Sequence, residues 1–356
     1  MRNVLLITVF ILGLTTPRAL YACGVCFELP EASVADHILS AQVIVLAGPA
    51  SDNPFRYGAR KILKGTSANL EAAPDIPFLV DSVTRRAFKS EPTTTVLLTY
   101  GPNQSNDPKR GLSMAWRRIF TMNPDRSEFL ERLQTTSPFW ADGVTGKPEQ
   151  VSFFADYLWH PDQALHDLAL IELDRAPYAF VRSIEIKSST GQILSELGDL
   201  SRFAFRSVAI RLLGLQTDPE ALSIVRSRFA QSLKAGGLDS HAWALAGIEV
   251  DGPKAIRAIG LTLGRLQRTS EDRKSLIRAL TDAGSAQSEL RPKIAPILSE
   301  ALQRDQGLAL QVALETRSWR EAVLHQQFRA LATQEETDPA TQFAIKMVLG
   351  TDVESD

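Results

Sequence analysis

The sequence predicts an α+β multidomain chain, with a small β-barrel or β-sandwich at the N-terminal end followed by an α-solenoid. Three observations carry that prediction. Between about residues 32 and 119, short β-branched and apolar runs are cut by Gly, Pro and Asn, the texture of strands. From about residue 149 the apolar residues recur at helical spacing. The helices so defined follow one another across short connections, often Asp-Pro or Gly-containing, which set neighbours antiparallel.

The chain opens with Met1-Arg2-Asn3, an apolar run from Val4 to Leu14, a polar break through Arg18, and Ala19-Leu20-Tyr21-Ala22. A short charged start, an apolar core and a small residue at the exit describe a secretory signal peptide over residues 1–22. The run falls short of the ~20 apolar residues that cross a bilayer. Export to the periplasm or cell envelope is the expected localisation. Cleavage after Ala22 removes Arg2 and Arg18, so 39 Lys and Arg become 37 against 41 acids, and the formal charge goes from −2 to −4. A mildly acidic chain without a basic stripe is a poor nucleic-acid binder. Only two cysteines are present, Cys23 and Cys26, so a hydrophobic core must supply the stability.

Residues 23–136 read as the β-rich domain. Strands are expected over 41–47, 56–63, 77–80, 93–100 and 112–120, and a helix capped by Asn123 over 124–133. The breaker-rich stretch 137–148 reads as a linker. Residues 149–350 hold the helical repeats, and 351–356 a disordered tail. Helices are expected over 151–158, 165–173, 203–215, 221–233, 242–248, 255–266, 274–283, 294–302, 308–314, 322–331 and 341–349. Asp-Pro starts such helices well, because Asp caps and proline at the first position has no amide hydrogen to waste.

The element His160-Pro161-Asp162-Gln163-Ala164-Leu165 finds an echo in Thr217-Asp218-Pro219-Glu220-Ala221-Leu222. With about 40 residues per helix pair, the helical region resembles degenerate HEAT repeats. The N-terminal part, through Cys23, Cys26, Ala35-Asp36 to Leu46, Tyr57 and Lys64-Gly65, weakly resembles the OB-like modules of the netrin and tissue-inhibitor type. Those modules tie their N-terminal cysteines to distant partners, and this chain has no third cysteine. The combined layout resembles exported bacterial HEAT-repeat proteins, which implies an architecture and no particular reaction.

Cys23-x-x-Cys26 admits three readings: a local disulfide, an acylated Cys23 in a lipobox-like Leu20-Tyr21-Ala22-Cys23, or a redox dithiol. His160 and His166 flank Pro161 without metal-ligand spacing, and no serine-hydrolase, zinc-protease or phosphate-loop motif occurs. No catalytic residue, metal site or cofactor is therefore expected. The aromatic cluster around Tyr157 and Trp159 reads either as the cap of the first helical unit or as a groove for a partner. Arg206 and Arg211, with Arg226 and Arg228, read as exposed cations at helical spacing that a protein partner could meet. The expected function is a non-enzymatic interaction or scaffold protein; the alternative is a lipid-anchored envelope assembly factor or a thiol–disulfide accessory using Cys23 and Cys26. A membrane role is expected only if Cys23 is lipidated.

Overall fold

The computed structural model describes residues 29–103, 113–140, 147–265, 268–334 and 337–350. The first element is helix α1 (Val34–Ser40), where Ser33 and Asp36 close a capping box. Strands β1 (Val43–Pro49) and β2 (Tyr57–Lys64) follow, then helices α2 (Ser67–Ala72) and α3 (Ser82–Ser90). Strands β3 (Val96–Pro102) and β4 (Met114–Thr121) complete an antiparallel sheet of order β2-β1-β3-β4. Residues 77–80, expected as a strand, contribute only the isolated bridge Arg56–Leu79.

Both faces of the central strands are buried, which is why 43–47 reads as a continuous apolar run. Successive side chains point to opposite faces. Val43, Val45, Ala47, Val96 and Leu98 meet Tyr57, Phe88 and Trp116 on one face. Ile44 and Leu97 join Ile38, Phe129 and the helical core on the other.

The three helices within 32–119 correct the all-strand reading of that stretch. Each starts at a polar cap: Ser33, Thr66 and Asp81 accept the backbone N–H of the residue three positions on. These local bonds outcompete a ladder where the flanking residues lack a strand's apolar alternation.

Helix α4 (Pro124–Thr136) leads out of the sheet, and a 3-10 turn, Ser137–Phe139, follows. Helices α5 (Pro148–Ala155), α6 (Gln163–Arg175), α7 (Tyr178–Ser183) and α8 (Thr190–Gly198) come next. After the 3-10 segment Leu200–Phe205 come α9 (Arg206–Gly214), α10 (Pro219–Ala235), α11 (Ser240–Asp251), α12 (Pro253–Leu263) and α13 (Ser270–Ala286). The described chain ends with α14 (Arg291–Arg304), α15 (Ala309–Glu315), α16 (Ala322–Ala332) and α17 (Pro339–Gly350). Every helix expected beyond residue 149 has its counterpart, most of them longer because the polar first turn lies outside the apolar stripe. Helices α7 and α8 were not expected; a Ser189–Gln192 capping box starts α8.

Alternate helices pack on one another. One row runs α9, α11, α13, α15, α17; the other runs α10, α12, α14, α16. Close approach within a row depends on small residues: a Cβ on Gly214 of α9 would sit 2.7 Å from the Ala246 Cα of α11. Helix α11 straddles two buried cores. Ala242, Trp243 and Ala246 belong to the core shared with the sheet. Ala244, Leu245 and Ile248 belong to the core that continues to Val348.

Candidate functional site

The row α9–α11–α13–α15 is bonded from helix to helix by side chains. Arg206 pairs with Asp239 at 3.2 Å. His241 Nε2 meets Asp282 at 2.7 Å, Thr281 donates to Glu315 at 2.5 Å, and Gln311 Nε2 donates to the Lys274 carbonyl at 3.1 Å. The partners in these four links lie 33 to 41 residues apart, one helix pair along the chain.

Two clefts open against this row. The first, about 500 Å³, is lined by Leu194, Leu197, Arg206, Ile224, Arg228 and Trp243 with the turn Gly236-Gly237. The second, about 480 Å³, is lined by Ser207, His241, Lys274, Arg278, Gln311 and Glu315. Both are lined by Leu238, which is 80% exposed, so the two clefts, together the groove, meet at this apolar side chain. Gly236 and Gly237 turn the chain there with φ of 72° and 125°, a region that glycine enters without steric cost. Leu200 and Phe203 are further exposed apolar side chains in the turn before α9.

The groove carries both signs of charge. Arg206 is held by Asp239, and Lys274 by Glu271 at 3.1 Å. Arg228 binds only the Gln231 amide oxygen among the described residues, leaving its charge without a carboxylate. Burial holds the His241 ring below its ordinary pKa against the pull of Asp282, and burial raises the Glu315 carboxyl despite its bonds to Thr281 and Gln311. His241, tied through Nε2 to Asp282, serves as a brace between α11 and α13. Among the described residues no serine donates to it and no metal-binding cluster of acids, His and Cys is found.

Of the residues expected to meet a partner, the structure brings Arg206 and Arg228 to the groove. Arg211 corrects the expectation of exposure: its side chain is buried and bonded to Asp174 on α6. Tyr157 is buried, as the capping alternative expects: it packs edge-on against Phe129 at 5.2 Å, with Arg132 donating to its hydroxyl. Apolar spacing cannot tell these positions from surface ones, because both follow the same helical period. Trp159 is half-buried and donates from Nε1 to Ser188 at 2.7 Å. Arg226, also expected at the surface, is exposed there and pairs with Asp251. His160 accepts the Asp162 amide, and His166 bonds the Leu158 carbonyl and Glu196. Cys23 and Cys26, with the signal peptide and the 351–356 tail, lie outside the described residues.

The aromatic cluster joins the sheet to the helices. Phe129 on α4, Trp140, Phe153, Phe154 and Tyr157 stack at centroid distances between 5.1 and 6.0 Å. Around it, Arg126 holds Asp162, the cap of α6, through Nε and Nη2, and Asn123 donates to the same carboxylate. Arg175 of α6 reaches Asp36 of α1 at 2.5 Å. The stretch expected as a linker is thus partly structural, since Trp140 packs on Phe153. Comparison with known proteins returns no matching family model, curated protein or solved structure.

Proposed function

We propose that this chain is an exported, non-enzymatic interaction protein. Its helical half works as a HEAT-like α-solenoid, with the α9–α11–α13–α15 row as the ligand-facing surface. The observation that supports this reading is the pair of clefts along α9, α11, α13 and α15, about 500 and 480 Å³, the first walled also by α8 and α10 and both lined by exposed Leu238. Recurrent links at 33 to 41 residues fit stacked helix pairs, each bonded to its neighbour. Clefts of mixed lining, with Leu238 shared between them and Arg206 and Arg228 at the first, suit an extended protein segment carrying polar and acidic side chains around an apolar one. No bond need be made or broken.

The test is capture of envelope proteins on the immobilised chain, compared with Leu238→Asp. Leu238 is 80% exposed, so the substitution leaves the fold intact. A stoichiometric partner that is captured by the wild type and lost by the variant is expected. Equal capture by both, or no stoichiometric partner over a range of salt, removes the groove from the function.

A further inference from the structure

The sheet module carries a second surface, remote in sequence from the groove. Phe55, Leu79 and Val83 are 51%, 74% and 75% exposed. The segments that carry them are joined: Arg56 bridges Leu79, the Val80 amide donates to the Phe55 carbonyl at 2.8 Å, Arg85 lies 4.5 Å over the Phe55 ring, and Val83 stands in the first turn of α3. Leu79 and Val83 keep about three quarters of their surface in water, and Phe55 about half.

Their surroundings are basic. Helix α3 contains Arg85, Arg86 and Lys89 and no acid. Arg86 and Lys89 are exposed, and none of the three has a carboxylate within ion-pair distance among the described residues. Of the acids around it, Asp75 binds Arg56 at 2.9 Å and Asp81 binds Arg118 at 2.8 Å, while Glu91, past the end of α3, accepts from the Thr93 hydroxyl. In a chain of formal charge −2 this is a local inversion of sign.

We propose that this face docks on an anionic phospholipid surface, with Phe55, Leu79 and Val83 entering the interface and Arg85, Arg86 and Lys89 meeting the headgroups. An apolar tip flanked by unpaired cations fits that occupant by charge and by shape. The apolar groups leave water while the guanidinium and ammonium groups stay at headgroup depth on their long stems. Docking of this kind does not depend on an acyl chain at Cys23.

The test uses the full mature chain carrying Cys23→Ser, so that no acyl group contributes. It is sedimented with vesicles of phosphatidylcholine alone or mixed with phosphatidylglycerol. Binding to the mixed vesicles only, weakened by added salt, is expected. Arg86→Ala and Lys89→Ala should each weaken it about fivefold, and Leu79→Ser on the order of tenfold or more. Phe55→Trp adds a readout of insertion: its emission should move to shorter wavelength with mixed vesicles and stay fixed with neutral ones. Equal binding to both vesicle types, no binding, or an unmoved Trp emission overturns the proposal. So does a Leu79→Ser variant that keeps full vesicle binding. If vesicles fail while Leu79→Ser abolishes capture of a stoichiometric protein, the face is a protein-docking surface instead. Because Leu238→Asp leaves this face untouched, failure here and failure of the groove are read separately.

Discussion

The junction between sheet and helices and the row of helices beyond it are built on different terms. At the junction, Phe129, Phe153, Phe154 and Tyr157 share one buried aromatic cluster with the sheet residues Ile44 and Leu97, so strands and helices lose water together. Along the row, each helix meets its neighbours through apolar contacts plus one or two polar links, and the links repeat. Stability along the row is therefore close to a sum of neighbour terms, whereas the junction is cooperative across distant parts of the sequence. Both regions bury an apolar core, but the junction adds stacked aromatic rings and the row adds repeated polar links beside open clefts.

The largest expected effect comes from breaking the junction. Phe129→Ala removes a fully buried ring from the cluster and should cost about 3–5 kcal/mol. Denaturant unfolding followed by near-ultraviolet and far-ultraviolet signals should show sheet and first helices melting together. A loss confined to the sheet signal would refute a shared core.

A smaller effect is tied to pH. Glu172 of α6 is buried beside Ser33, Asp36 and Arg175, and its Oε1 lies 3.5 Å from the Arg175 guanidinium. That guanidinium is closer to Asp36, at 2.5 Å, so burial dominates and pushes the Glu172 carboxyl up to about 7 from 4.5. With a folded-state value above the unfolded one, the native state holds the extra proton, and stability falls as pH rises from about 4.5 to about 7. Glu172→Gln should abolish that fall. Relative to wild type, the variant should be similar near pH 5 and more stable near pH 8 by on the order of 2–3 kcal/mol. Parallel stability–pH curves for the two proteins would show that Glu172 ionises freely.

The smallest effect belongs to the row. Arg206 and Asp239 are partly solvated, so a double-mutant cycle with Arg206→Ala and Asp239→Ala should return ~1 kcal/mol or less. A coupling several times larger would mean that the row, too, depends on desolvated pairs.

Much of the helical half was legible because its apolar stripes are regular and its starts are marked. Asp218-Pro219 and Asp338-Pro339 are a cap and first-position proline in the structure as in the reading; Asp218 accepts the Ala221 amide. Less of the sheet module could be read. The capping boxes at Ser33–Asp36 and Thr66–Asn69 were present as signals, but short helices among strands lack the repeated apolar period that would weigh against a strand. For the groove, Arg206 was visible as a cation and Leu238 was not singled out, since a leucine in a turn carries no mark of exposure.

By itself, the sequence determined the four strands of the sheet, most helices beyond residue 149 with their marked starts, and the small number of sulfur atoms available. These follow from local forces: side-chain caps, apolar period and the conformational limits of Gly and Pro. Only the tertiary structure decided which cations became internal braces, as Arg211 did with Asp174, and which stayed at a cleft, as Arg206 did. It also decided that Tyr157 would be a buried anchor and Leu79 a bare tip. The reason is that burial is set by what packs opposite a residue, and the partner comes from another element of the chain.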